Sequence, residues 1–166
     1  MDVETVHGRL RTRAETAADG AFLATLFDGV KAAAFALIPE PMRRQLLDMQ
    51  FRAMTMGYRA RFPSGRFEVI TLDETPIGQL ITDSGPEAFQ IVYIALLSEW
   101  CARGIATALM TAVLDQPRRR GLRCAATVAL DNVASMRLWA RLGFVERERA
   151  ETNVVIEWRP DENAPG

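Results

Sequence analysis

A chain of 166 residues, 49% of them hydrophobic and 25% charged, is long enough to fold as one domain that buries roughly 70% of its unfolded surface without disulfide or metal staples. Its 20 basic and 21 acidic side chains leave a formal net charge of -1, which excludes an overall electrostatic pull toward nucleic acid or an anionic membrane. Two cysteines, Cys101 and Cys124, have neither metal-ligand spacing nor a disulfide framework, no export core opens the chain and no run nears the ~18 apolar residues of a membrane span, so a cytoplasmic protein without a metal is expected.

Residues 9–14 alternate Arg9, Arg11 and Arg13 against Leu10, Thr12 and Ala14, the period of a strand with one wet face. Residues 19–36 carry Phe22, Leu23, Leu26, Phe27 and Val30 at helical spacing, before Pro39 and Pro41 punctuate the chain. A second helix is predicted over 41–58. It holds four of the seven methionines, Met42, Met49, Met54 and Met56, and ordinary burial tendencies assign them to core filling. Strands are predicted at 66–72, 77–83 and 89–97, separated by Asp73-Glu74-Thr75-Pro76 and Ser84-Gly85-Pro86-Glu87, turn sequences short enough for hairpins. The third strand is apolar on both faces and belongs at the centre of a sheet.

That central strand delivers the chain to Cys101-Ala102-Arg103-Gly104-Ile105-Ala106, where a helix begins. A helix amino-terminus offers unpaired N–H groups and the positive end of its dipole to a phosphate or other anion. Gly104 admits a backbone conformation closed to other residues, Ala102 and Ala106 keep side chains out of a ligand's way, and Arg103 adds a charge. The helix carries Ile105, Leu109, Ala112 and Val113 on one side. Pro117 ends it early or kinks its last turn, and Arg118, Arg119, Arg120 and Gly121 make a favourable carboxyl end. Residues 122–130 form another apolar strand, and Asn132 caps a short helix that ends in Arg141-Leu142-Gly143-Phe144, with Gly143 left-handed and Phe144 folding back. Two closing strands follow at 144–150 and 153–159. A single domain over 1–160 with a frayed tail, 161–166, is expected, and the order β, α, α, three β, α, β, α, two β describes an α/β fold around a mixed sheet.

The two strand-to-helix junctions together resemble the GCN5-related N-acetyltransferase (GNAT) family over about residues 10–159. The family's acetyl-CoA motif, Gln/Arg-x-x-Gly-x-Gly/Ala, is occupied by Cys101-Ala102-Arg103-Gly104-Ile105-Ala106, followed by Thr107 and Leu109. The family's downstream motif is matched by Asn132, Ser135, Leu138, Trp139, Gly143 and Phe144. The resemblance implies a mixed, mostly antiparallel central sheet with helices on both faces. It implies direct acetyl transfer from acetyl-CoA to a primary amine of a small molecule or peptide, with no metal, and leaves room for a homodimer. It assigns the pantetheine amides to backbone groups near Ile94, Leu96 and Leu97, with the Leu96 N–H polarising the thioester carbonyl. Ala102, Arg103, Gly104, Ile105, Ala106 and Thr107 then hold the pyrophosphate, with Asn132, Ser135 and Trp139 completing the cofactor side.

Two departures stand out. Cys101 replaces the usual Gln or Arg, and with His7 as the single histidine it reads as an inert loop thiol rather than a nucleophile. Trp139 stands where the family often has the tyrosine that protonates the leaving thiolate. An indole N–H has no usable acidity, but a thiol pKa near ~8.5 lets the thiolate leave without full protonation. Tyr93 is an alternative acid, and Glu68 and Glu99, both read as solvated surface residues, are the nominated proton acceptors. The acceptor side is assigned to Arg43, Arg44, Gln50 and Tyr58. The alternative is a CoA-binding protein with weak or lost catalysis. A ligand-free interaction module is the third reading, and the intact Arg103-Gly104-Ile105-Ala106 loop argues against it.

Overall fold

The computed structural model describes residues 1–160, so the tail expected to fray, 161–166, lies outside the described residues. In chain order the elements are β1 (Asp2–Thr5), β2 (Gly8–Ala14), α1 (Gly20–Lys31), α2 (Met42–Arg61), β3 (Arg66–Leu72), β4 (Thr75–Ser84) and β5 (Ala88–Leu96). They continue with α3 (Ile105–Arg119), β6 (Arg123–Ala129), α4 (Val133–Arg141), β7 (Val145–Arg149) and β8 (Asn153–Trp158). The strands form one mixed sheet in the order β1-β2-β3-β4-β5-β6-β8-β7, antiparallel throughout except where β5 and β6 run parallel.

Successive side chains of a strand point to opposite faces, and this alternation divides the core. Leu80 of β4 packs with Leu109, Met110, Val113 and Leu114 of α3, Phe89 and Ile91 of β5 and Trp158 of β8. Its neighbour Ile81, 2% exposed, faces the other side, where α1 lies across β4 and β5 and α2 packs on α1. Helices therefore cover both faces. The hairpin between β3 and β4 needs only two residues, because Asp73 (φ 46°) and Glu74 (φ 68°) both adopt the left-handed conformation that matches strand twist. Thr75 and Pro76, expected in the turn, open β4 instead. Pro117 neither stops α3 early nor leaves its carbonyl unpaired: the helix reaches Arg119, and Leu122 donates its N–H to Pro117 at 2.9 Å.

Two expectations fail for identifiable reasons. The amino-terminal strand β1 was not foreseen. Its four residues hold Asp2 and Glu4 on the wet face, and much of what fixes it to β2 is charge, Arg9 and Arg11 reaching Asp2 at 2.6 and 3.1 Å. Of the four methionines of α2 only Met54 packs on the core, while Met42, Met49 and Met56 are 57%, 59% and 71% exposed. The inner face of α2 is taken by Leu47, Phe51, Met54 and Tyr58, at helical spacing. Met49 and Met56 each lie two residues, about 200° of helical rotation, beyond an inner position.

Gly78 of β4 sits opposite Leu96, where a Cβ would stand 2.3 Å from the Ala95 carbonyl oxygen and 2.7 Å from Leu96 Cδ2. Backbone cannot yield as a flexible side chain does, so Gly78→Ala is expected to destabilise the protein by about 1–3 kcal/mol, read from the urea midpoint at unchanged m-value.

Candidate active site

The site begins where the sheet parts. β5 and β6 pair only from Ala88 with Arg123 to Ile91 with Ala126, although β5 runs on to Leu96 and β6 to Ala129. Opposite β4 the register shifts between Ile81 and Thr82, leaving Val92 as an extra residue of β5, a bulge of the kind that bends a strand. Beyond it, Leu97 donates its N–H to the Ile77 carbonyl at 2.8 Å. Main-chain groups alternate in direction along an antiparallel strand, so Tyr93 and Ala95 face β4 while the peptide groups of Ile94 and Leu96 face the gap left by β6. Leu97, expected on the same edge, faces β4 instead, and its carbonyl accepts the Trp100 N–H at 2.9 Å.

After one tight turn at Ser98–Trp100, the chain reverses through Ala102 (φ 58°) and Gly104 (φ 79°), both left-handed, and enters α3. The Gly104 carbonyl accepts the Ala108 N–H at 3.0 Å, so Ile105, Ala106 and Thr107 present N–H groups that have no partner within the helix. A Cβ on Gly104 would meet no atom within 4 Å: glycine is required there by φ, not by crowding. The Arg103 guanidinium lies 5.3 Å over the Trp100 ring, and His7 Nε2–H donates to the Arg103 carbonyl at 3.2 Å. Sequence reading missed this buttress, since nothing local links His7 to a loop 96 positions away.

Cys101 points its sulfur at the carbonyls of Leu96 and Leu97, 3.8 and 3.6 Å away. Burial, with Glu99 adding to it, pushes its thiol pKa up, so it stays protonated at neutral pH. The downstream motif closes on itself. Asn132 Oδ1 accepts the Ser135 N–H at 3.0 Å, Ser135 Oγ accepts Trp139 Nε1–H at 2.9 Å, and the Trp139 ring meets Phe144 edge-on at 4.9 Å. Trp139 is 3% exposed, so its one donor is occupied and its main contribution is packing.

A cavity of about 320 Å³ opens between α1, α2 and β5, lined by Phe27, Val30, Lys31, Gln50, Ala53, Met54, Tyr58 and Tyr93. Of the four residues assigned to the acceptor side, Gln50 and Tyr58 line it. Arg43 and Arg44 do not line it: Arg43 pairs with Glu40 at 2.8 Å, and Arg44 pairs with Asp28 and with Asp48. The Tyr58 and Tyr93 rings meet tilted at 42° with centroids 5.9 Å apart, and burial, reinforced by Tyr58, pushes the Tyr93 phenol up to about 12. Glu68 is not a surface residue. It is 7% exposed, accepts from Thr12 Oγ1 at 3.1 Å and Arg66 at 2.8 Å, and pairs across the sheet with Leu80, which puts its side chain on the α3 face, away from this cavity. Glu99 is exposed in the turn before Cys101.

The parted strands, the left-handed loop and the helix start coincide with a family model, the acetyltransferase (GNAT) family, which matches residues 21–144. The chain belongs to the GNAT acetyltransferase family. It is an acyltransferase whose chemistry is acetyl transfer. Solved GNAT structures share its fold. RimJ of Mycobacterium smegmatis, in complex with CoA-disulfide, superposes at TM-score 0.71 with 19% identity over 99% of this chain and 88% of that one. The PaiA N-acetyltransferase of Thermoplasma acidophilum, in complex with coenzyme A, gives 0.69 and 15% over 90% and 98%. The ribosomal-protein-S5-alanine acetyltransferase of Vibrio fischeri gives 0.63 and 17% over 99% and 100%. No curated protein matches the sequence. Among the described residues no helix is long and apolar enough to cross a membrane, and no group of His, Cys, Asp or Glu is placed to hold a metal ion.

Iodoacetamide at pH 7.5 is expected to alkylate Cys101 more slowly than a free model thiol, because a raised pKa withholds the thiolate, and to reach Cys124 only after unfolding, as its thiol is fully buried and pushed up to about 12. Mass spectrometry of the labelled protein reads both. Trp139→Phe, which removes buried ring volume and the Ser135 hydrogen bond, is expected to cost about 1–3 kcal/mol in thermal or urea unfolding.

Proposed function

We propose that this chain, as a single GNAT domain over residues 1–160, is a cytoplasmic enzyme that transfers acetyl from acetyl-CoA directly to a primary amine of a small molecule or peptide. The observation that carries the reading is the unpaired edge of β5 at Ile94 and Leu96, which leads within 13 residues to the N–H groups of Ile105, Ala106 and Thr107, unpaired within the helix.

In this reading the pyrophosphate binds the amides of the α3 amino-terminus, where the dipole favours an anion and Arg103 adds charge. Ala102 and Gly104 turn the chain so that those amides converge. The pantetheine arm lies in the gap between β5 and β6 and pairs its amides with Ile94 and Leu96, as a missing strand would. The Leu96 N–H polarises the thioester carbonyl. The acceptor enters from the cavity between α1 and α2, and its nitrogen attacks the carbonyl carbon. The C–N bond forms, the C–S bond breaks, and the nitrogen proton leaves to water. Glu68 takes no part, since it faces α3. The thiolate, whose thiol pKa is ~8.5, leaves without full protonation and takes its proton from water, since Tyr93, its phenol pushed up to about 12, is the weaker acid.

A CoA-binding protein without catalysis is the second reading, favoured by the occupied Trp139 N–H. Thiol release from acetyl-CoA over a panel of amines separates the two, because only the enzyme turns over.

Gly104→Val tests the cofactor side. A β-branched residue resists φ near +79° and projects into the space expected to hold the pyrophosphate. Acetyl-CoA affinity by calorimetry is expected to fall tenfold or more, while the urea midpoint moves by no more than about 1–3 kcal/mol of backbone strain. Unchanged affinity would make this loop a structural turn and remove the support for the reading.

A further inference from the structure

The cavity between α1 and α2 has a chemistry of its own. Phe27, Val30 and Met54 supply apolar walls, and Tyr58 and Tyr93 add ring faces. None of its eight lining residues is acidic. Its one charge is Lys31, the only lysine in the chain. Lys31 ends α1 with its ammonium 5.9 Å from the Phe27 ring centroid, and it has no ion-pair partner among the described residues. The contrast with its surroundings is sharp. Arg43 and Arg44, on the neighbouring helix, are paired with Glu40, Asp28 and Asp48, so the local carboxylates are already engaged outside the cavity.

A cationic acceptor is recognised best by carboxylates, and here a second positive charge would meet Lys31 and no carboxylate, with only the Gln50 amide and aromatic faces to receive it. An anionic group on the acceptor would instead complete the single unmatched charge of the wall. We propose that the acceptor is a primary amine that also carries a carboxylate, on an apolar or aromatic skeleton, and that Lys31 holds that carboxylate. This rests on the acetyltransferase reading above. An α-amino acid with a hydrophobic side chain is the simplest molecule of the class. The same wall explains how the nitrogen reacts without a dedicated base. Desolvation in the apolar cavity disfavours the protonated amine and raises the share that reaches the thioester as the free base. Lys31 is thus a specificity-determining residue, because it favours one class of acceptor and repels the other.

The test compares L-phenylalanine, L-methionine, phenethylamine and spermidine as acceptors, with thiol release from acetyl-CoA as the rate and calorimetry of acetyl-CoA alone run in parallel. The expected result is a kcat/KM at least tenfold higher for L-phenylalanine than for phenethylamine, which is the same molecule without its carboxylate, and the lowest value for spermidine. In Lys31→Met the ratio of L-phenylalanine to phenethylamine is expected to fall tenfold or more, and in Lys31→Arg to recover in part, since a guanidinium also binds a carboxylate. Phenethylamine or spermidine equalling the amino acids, or a ratio unmoved in Lys31→Met, overturns the proposal. Acetyl-CoA binding with no transfer to either amino acid overturns it and leaves the cofactor side standing. Absence of acetyl-CoA binding takes down the acetyltransferase reading itself.

Discussion

Everything in this architecture that bears on chemistry depends on a sheet that stops pairing in its own middle. Parallel strands inside an α/β fold ordinarily keep their ladder to the end, because a buried peptide group without a partner costs free energy. Here β5 and β6 separate after Ile91, and the bulge at Val92 bends β5 at the point of separation. The strand stays anchored on its other edge through Ile77 and Leu97, so the gap is held open by structure. It leaves two peptide groups, those of Ile94 and Leu96, without a strand partner, in a sheet whose other central edges are paired. The same strand then supplies the turn that starts α3, which brings a polar edge and a helix terminus together from one continuous stretch of chain.

Much of this was legible from the residues. A run apolar on both faces identified β5 as central, and Gly104 before a helical pattern located the loop and its left-handed turn. Asn132 was recognisable as a cap because its side chain satisfies a helix N–H three residues on, and Gly143 and Phe144 as a stop because the Phe144 N–H returns to the Trp139 carbonyl. These are local devices, and a local reading finds them. The cavity beside α1 is assembled from α1, α2 and β5, and no window of sequence contains Lys31 and Tyr93 together. Hence two of its four expected residues, Arg43 and Arg44, proved to be engaged in surface ion pairs. The α2 methionines misled for a related reason: composition says that thioethers can be buried, but only the helical phase set by Leu47, Phe51 and Tyr58 says which ones are.

Glu68 shows how pairing register decides a role that residue type leaves open. As a carboxylate on a central strand it was a reasonable candidate to accept a proton. Its alignment with Leu80 turns it toward α3, where Thr12 and Arg66 satisfy it. A shift of one residue would have reversed the face. Trp139 is a parallel case on a helix, where the turn that Asn132 caps also supplies the hydroxyl that occupies the indole donor.

The contact between His7 and Arg103 bears on how the chain reaches its native state. Its partners are separated by 96 positions, and they join the turn between the first two strands to the loop that opens α3. The sheet alternates local hairpins with long closures, and the buttress of this loop arrives from the far end of the chain. Closing so long a span costs more chain entropy than winding the helix that follows, so the contact ties the order of this loop to the long-range pairing of the sheet.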